Sequence, residues 1–167
     1  MSPETLWSLV RDCFEIDDGS SPTIALVDLE PDEVGNLYRA VRSGTHLVDN
    51  DASFWDYHAS ADVPLDSVPN AALLVAHGTA AGFGFAVKGL NAGSVCLPNL
   101  GFQVFRTVFS LHYQMGASWG PAQVFALFGW LRDCLRMTKH GNLDLKVDGP
   151  PDVIVFQSAW DDFVGTE

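Results

Sequence analysis

Gly82-Phe83-Gly84-Phe85-Ala86-Val87-Lys88 alternates large apolar residues with small or polar ones. A period of two is that of a strand, with Phe83, Phe85 and Val87 on one face and Gly82, Gly84, Ala86 and Lys88 on the other. Glycines gathered on one face allow close packing or extra twist there. Outward from this stretch, apolar runs place further strands at residues 23–29, 53–58, 71–77, 102–113, 143–147 and 152–157. The 102–113 run is rich in β-branched and aromatic residues but also fits a helix. Pro, Gly, Asn and Asp punctuate the gaps. The middle strands follow one another through short turns with no helix expected between them. That favours an antiparallel meander, with a partly mixed sheet as the alternative.

Three helices are expected around this sheet. Ser2 suits an N-cap with Pro3 at the first helical position, and Leu6, Leu9, Val10, Cys13 and Phe14 follow a period near 3.6. Glu30, Pro31, Asp32 and Glu33 open a second helix, where acids complement the N-terminal dipole. Val34, Leu37, Tyr38 and Val41 are its apolar stripe, and Gly44 ends it. The third runs from Pro121 to about His140, striped by Val124, Leu127, Phe128, Leu131, Cys134 and Leu135. Phe125 and Trp130 add apolar surface on its other faces, so its first half is expected to be buried nearly all round. Basic residues crowd its last turns before Gly141. The expectation is one α+β domain over residues 1–167, with about three helices packed on the sheet.

Length and composition agree. A chain of 167 residues, 47% hydrophobic and 18% charged, can bury a core without a staple. Cys13, Cys96 and Cys134 are odd in number and lack C-x-x-C spacing, so they read as reduced, mostly buried thiols of a cytoplasmic protein. Met1-Ser2-Pro3-Glu4 has no basic stretch leading into an apolar one, so no signal peptide is expected, and the apolar runs are too short and too interrupted by Gly for a bilayer span to be expected.

Charge carries more information. With 9 Lys and Arg against 21 Asp and Glu, the net charge is −12. Eight acids and no base lie between Asp12 and Glu33. No Lys or Arg lies between Arg42 and Lys88, where Asp49, Asp51, Asp56, Asp62 and Asp66 all fall. No acid lies between Asp66 and Asp133, which suggests a core from the middle with acidic segments from both ends wrapped outside it. Such a surface repels nucleic acid and anionic membrane and attracts cationic partners. The plainer alternative is that the acidity serves solubility alone.

Gly116-Ala117-Ser118-Trp119-Gly120 fits G-x-S-x-G between an expected strand and an expected helix. It resembles the nucleophile elbow of α/β-hydrolases, and Leu73-Leu74-Val75-Ala76-His77-Gly78 resembles the strand and His-Gly segment those enzymes often carry. The resemblance implies a serine nucleophile at Ser118. The family order then requires a later histidine, and only His140 follows, at the far end of a long helix. His77 or His112 as base departs from that order.

Gly78-Thr79-Ala80-Ala81-Gly82-Phe83-Gly84 resembles the glycine turn of short-chain dehydrogenases, which would imply a dinucleotide. No Tyr here has a Lys four residues later, and the alternation after the glycines is that of a strand. No cofactor is therefore expected. His46, Asp49, Asp51, Asp56 and His58 offer imidazole and carboxylate ligands, with His46 and His58 the metal candidates, yet their spacing matches no ligand pattern.

The leading expectation is a non-catalytic protein that turns its acidic face, Asp49, Asp51, Trp55, Asp56, Tyr57 and Asp62, toward a basic protein. A bacterial immunity protein occluding a toxic enzyme would be one instance. No nucleic-acid or membrane partner is expected, and self-association is left open. The alternative is a small serine hydrolase using Ser118 with His77 or His112.

Overall fold

The computed structural model describes residues 1–145 and 151–166. Among the described residues five α-helices form: α1 (Pro3–Val10), α2 (Pro31–Arg42), α3 (Ala71–Ala76), α4 (Pro121–Arg136) and α5 (Val153–Gly165). The strands in chain order are β1 (Thr23–Val27), β2 (His46–Leu47), β3 (Ser53–Asp56), β4 (Ala61–Pro64), β5 (Phe83–Lys88), β6 (Asn91–Ala92), β7 (Val95–Cys96), β8 (Leu100–Val104), β9 (Phe109–Tyr113) and β10 (Asn142–Asp144). Six of them make one sheet in the order β10-β1-β9-β8-β5-β2, while β3–β4 and β6–β7 are separate hairpins. Every neighbouring pair is antiparallel, so the mixed alternative falls away.

The alternation of β5 orders the whole sheet. Phe83, Phe85 and Val87 are buried and face Val104, Phe102 and Leu100 across the ladder to β8. Beyond them on β9 stand Phe109, Leu111 and Tyr113, all buried. The helices cover this face. Tyr38 of α2 meets Phe85 edge-on at 5.3 Å, Trp130 of α4 meets Phe102 at 6.1 Å, and Phe14 stacks on Tyr113 at 4.7 Å. The opposite face carries small or polar residues, among them Gly84, Gly101, Gln103, Ser110 and His112.

Several sequence expectations need correction. The expected strand at 71–77 is instead the helix α3, with His77 as its C-cap: the Asn70 side chain caps the N–H of Leu73 at 3.2 Å, and the short apolar run packs against α2. A helix therefore interrupts the expected meander between β4 and β5. The single 102–113 segment is instead the hairpin β8–β9, turning where the N–H of Phe105 donates to the carbonyl of Val108. Residues 152–157 open α5, with Asp152 capping Val155 at 3.1 Å. The expected strand at 143–147 is present as β10, and Lys146 and Val147 lie outside the described residues.

The third helix stops at Arg136, four residues early. The N–H groups of Met137 and Thr138 tighten onto Cys134 and Leu135, and that of Lys139 leaves the helix for the Glu33 carboxylate. The ends of the chain also do more than wrap the core. β1 is an inner strand, and Leu6, Phe14, Phe156 and Phe163 are buried. Phe128 of α4 centres a cluster with Phe156 at 4.9 Å and Trp160 at 5.7 Å. Among the described residues no helix is long and apolar enough to cross a membrane.

Candidate functional site

The β3–β4 hairpin gathers the acidic and aromatic residues singled out above. Its ladder pairs Ser53 with Pro64, Phe54 with Val63, Trp55 with Asp62 and Asp56 with Ala61. Alternation sends Phe54, 2% exposed, into the core beside Phe83, and leaves Trp55, 44% exposed, facing outward across from exposed Asp62. The Asp56 carboxylate accepts the N–H groups of His58 at 2.8 Å and Ala59 at 3.0 Å, shaping the tip. Tyr57, just past the strand, is 56% exposed. Asp49 accepts the N–H of Asp51 at 2.9 Å in the turn that feeds β3.

The hairpin is held on both sides. The N–H of Ala81 donates to the Trp55 carbonyl at 2.9 Å, that of Tyr57 to the Thr79 carbonyl at 3.1 Å, and that of Leu65 to the Ala52 carbonyl at 3.0 Å. Trp55 and Tyr57 thus sit on fixed backbone. Asp49, Asp51 and Asp62 are exposed and Asp56 half-buried, and among the described residues none of the four is ion-paired. Asp66 differs, because Arg42 holds it at 2.6 Å.

The two histidine candidates separate. His46 pairs with Lys88 at the sheet edge, and His58 sits at the hairpin tip. Among the described residues no three His, Cys, Asp or Glu side chains come together as a metal site.

Ser118 lies exposed in the turn between β9 and α4, beside a recess of about 360 Å³ shared with Pro98, Asn99 and Gln114. Among the described residues no histidine lines that recess, and no hydrogen bond joins Ser118 to one. His77 follows α3, next to Gly78, on which the Arg106 side chain of the β8–β9 turn rests. Ser118 belongs to the other end of that hairpin, so the two stand roughly 20 Å apart at about 3.3 Å per strand residue. His112 lies over Gly101 on the sheet face away from the helices, burial lowers its pKa, and among the described residues no acid pairs with it. The N–H after Ser118, that of Trp119, donates to the Gly116 carbonyl at 3.1 Å. In a hydrolase elbow that group would face the substrate oxyanion.

The glycine segment is closed in a similar way. The N–H groups of Gly78, Thr79 and Ala80 cap α3 through Val75 and Leu74, and that of Ala81 binds Trp55. A strand, β5, follows rather than a helix, so amides in this segment are not turned toward a pyrophosphate.

Two surface features were not anticipated. Phe105, 47% exposed, lays its ring against Gly82, close to the backbone that holds Trp55. A mostly apolar cleft of about 560 Å³ separates α4 from the β6–β7 hairpin, with Phe125, Gly129 and Trp130 on its helical wall. The exposure of Phe105 depends on the β8–β9 turn, which a continuous 102–113 strand conceals. Gly129 inside an apolar helix was the one trace of the cleft in the sequence. Comparison with protein-family models, with curated proteins and with solved structures finds no match to this chain.

Proposed function

We propose that this chain is a non-catalytic binding protein that docks a basic protein through the β3–β4 hairpin and the turn leading into it. One observation carries the reading: Trp55 and Asp62 are register partners on the outward face of a tethered hairpin, flanked by Asp49, Asp51 and Tyr57. Exposed Trp and Tyr supply contact area with little entropy to lose, and unpaired carboxylates steer a cationic surface toward them. Binding of this kind occludes the partner's surface. An immunity-type inhibitor of an enzyme with a basic cleft is one concrete form of the proposal.

Replacing Asp49, Asp51 and Asp56 together by Asn tests it. Asn keeps the side-chain oxygen that Asp49 and Asp56 use in their turns, so charge is removed while the turn acceptors remain. Proteins captured from a cell extract at low salt are compared between wild type and the triple variant. The expected result is a high-pI protein that wild type retains, that salt elutes and that the variant loses. An identical captured set with both baits would refute the assignment.

A further inference from the structure

We infer that Trp55 and Asp62 form a receptor for one arginine side chain of the partner, a refinement that rests on the binding role proposed above. The molecule twice solves this recognition problem within itself. The Arg42 guanidinium carbon lies 5.7 Å from the Tyr38 ring centre while its Nη2 pairs with Asp66 at 2.6 Å. Arg132 lies 5.3 Å from the Phe163 ring centre with its Nε 3.6 Å from Asp133. Each site sets an arginine against an aromatic ring and a carboxylate, and at Tyr38 the Arg42 Nη1 also donates to the phenol oxygen at 2.8 Å.

Trp55 and Asp62 present the ring and the carboxylate without the arginine. They stand directly opposite in an antiparallel ladder, which puts their Cβ atoms about 5 Å apart on the same face. Both are exposed, and among the described residues neither contacts a cation. The chain has no Lys or Arg between Arg42 and Lys88 to fill the place. A guanidinium suits it better than an ammonium. It is planar and weakly hydrated, so it can stack on the indole while its N–H edge forks onto the carboxylate.

Fluorescently labelled twelve-residue peptides of alternating Arg-Gly, alternating Lys-Gly and alternating Ser-Gly provide the test, read by anisotropy at low salt. Wild type is expected to bind the arginine peptide roughly five- to tenfold more tightly than the lysine peptide, the range of a partly desolvated cation–π contact. Trp55→Leu should bring that ratio close to one while leaving lysine-peptide binding nearly unchanged. Asp62→Asn should weaken arginine-peptide binding more than the charge-matched Asp162→Asn on α5 does. Because Trp55 and Asp62 are exposed, the variants keep the core, and matching circular dichroism melts would establish that. Equal affinity of wild type for the two basic peptides, or a preference that survives Trp55→Leu, overturns the receptor while leaving the acidic docking face standing. Basic peptides that bind no better than the Ser-Gly peptide overturn both.

Discussion

The Glu33 carboxylate accepts the backbone N–H of Lys139 at 2.7 Å, joining the first turn of α2 to the chain just beyond α4. Its other oxygen accepts the N–H of Glu30 at 2.9 Å and so completes a capping box. Glu33 is buried, whereas the Lys139 ammonium reaches Glu30 at the surface, 3.3 Å away. Glu33→Ala should therefore lower stability by about 2–3 kcal/mol, the scale for two hydrogen bonds to a charged acceptor. Lys139→Ala keeps the backbone donor and should cost less than about 1 kcal/mol. Urea midpoints of the two variants settle the order, and equal losses would contradict it.

Gly101 leaves room for the His112 imidazole, since a Cβ at that position would run into the ring. Gly101→Ala should cost about 1–3 kcal/mol through overcrowding. Adding His112→Ala should recover most of that loss. A double-mutant cycle by chemical denaturation measures the coupling, and simple additivity would show that ring and glycine are independent.

Burial lowers the pKa of His112 below the ordinary histidine value of 6.5. A depressed value means that the unfolded chain takes the proton more readily. The contribution of the neutral ring to stability is therefore present above pH 6.5 and is lost as pH falls through the lower folded value. Imidazole carbon shifts followed by NMR should show a midpoint under 6.5. A midpoint at or above that value would contradict the burial of the ring.

Burial pushes the Cys13 thiol up to about 11 and raises Cys134 as well, while Cys96 is exposed. Iodoacetamide at pH 8 should add one label to the native protein, at Cys96, and three after denaturation. For Cys13 the folded value lies above the unfolded one near 9.0, so its contribution holds below pH 9.0 and is lost as pH rises through about 11. Peptide mass mapping identifies the labelled residues. Native labelling of Cys13 or Cys134 at the rate of Cys96 would count against this packing.

What proved legible in the sequence follows from local rules. Ser2 and Pro3 start α1 as expected, the stripe from Val34 to Val41 faces the core, and Phe83, Phe85 and Val87 bury together. The failures share a cause as well. Ala71-Ala72-Leu73-Leu74-Val75-Ala76 is too short for its period to show, and the capping oxygen of Asn70 decides for helix. Val153-Ile154-Val155 favours a strand by propensity, but Phe156, Ala159, Trp160 and Phe163 repeat at helical spacing and pack on α1 and α4. That repeat was visible and outweighs the β-branched run.

The candidate face divides similarly. Its acidity and its lack of bases could be counted in the sequence, as could the nearness of Trp55 to Asp56. The opposition of Trp55 to Asp62 depends on register, and register is set by which partner strand buries Phe54 and by where Asp56 turns the chain. In the same way, G-x-S-x-G and the glycine run look reactive as strings, while their amides are bonded to Gly116, Val75, Leu74 and Trp55. Periods, caps and the sign of the surface are set by neighbours a few residues away, so the order of residues already carries them. Which backbone donors remain open and which side chains face each other emerges on folding, because those contacts join residues far apart along the chain.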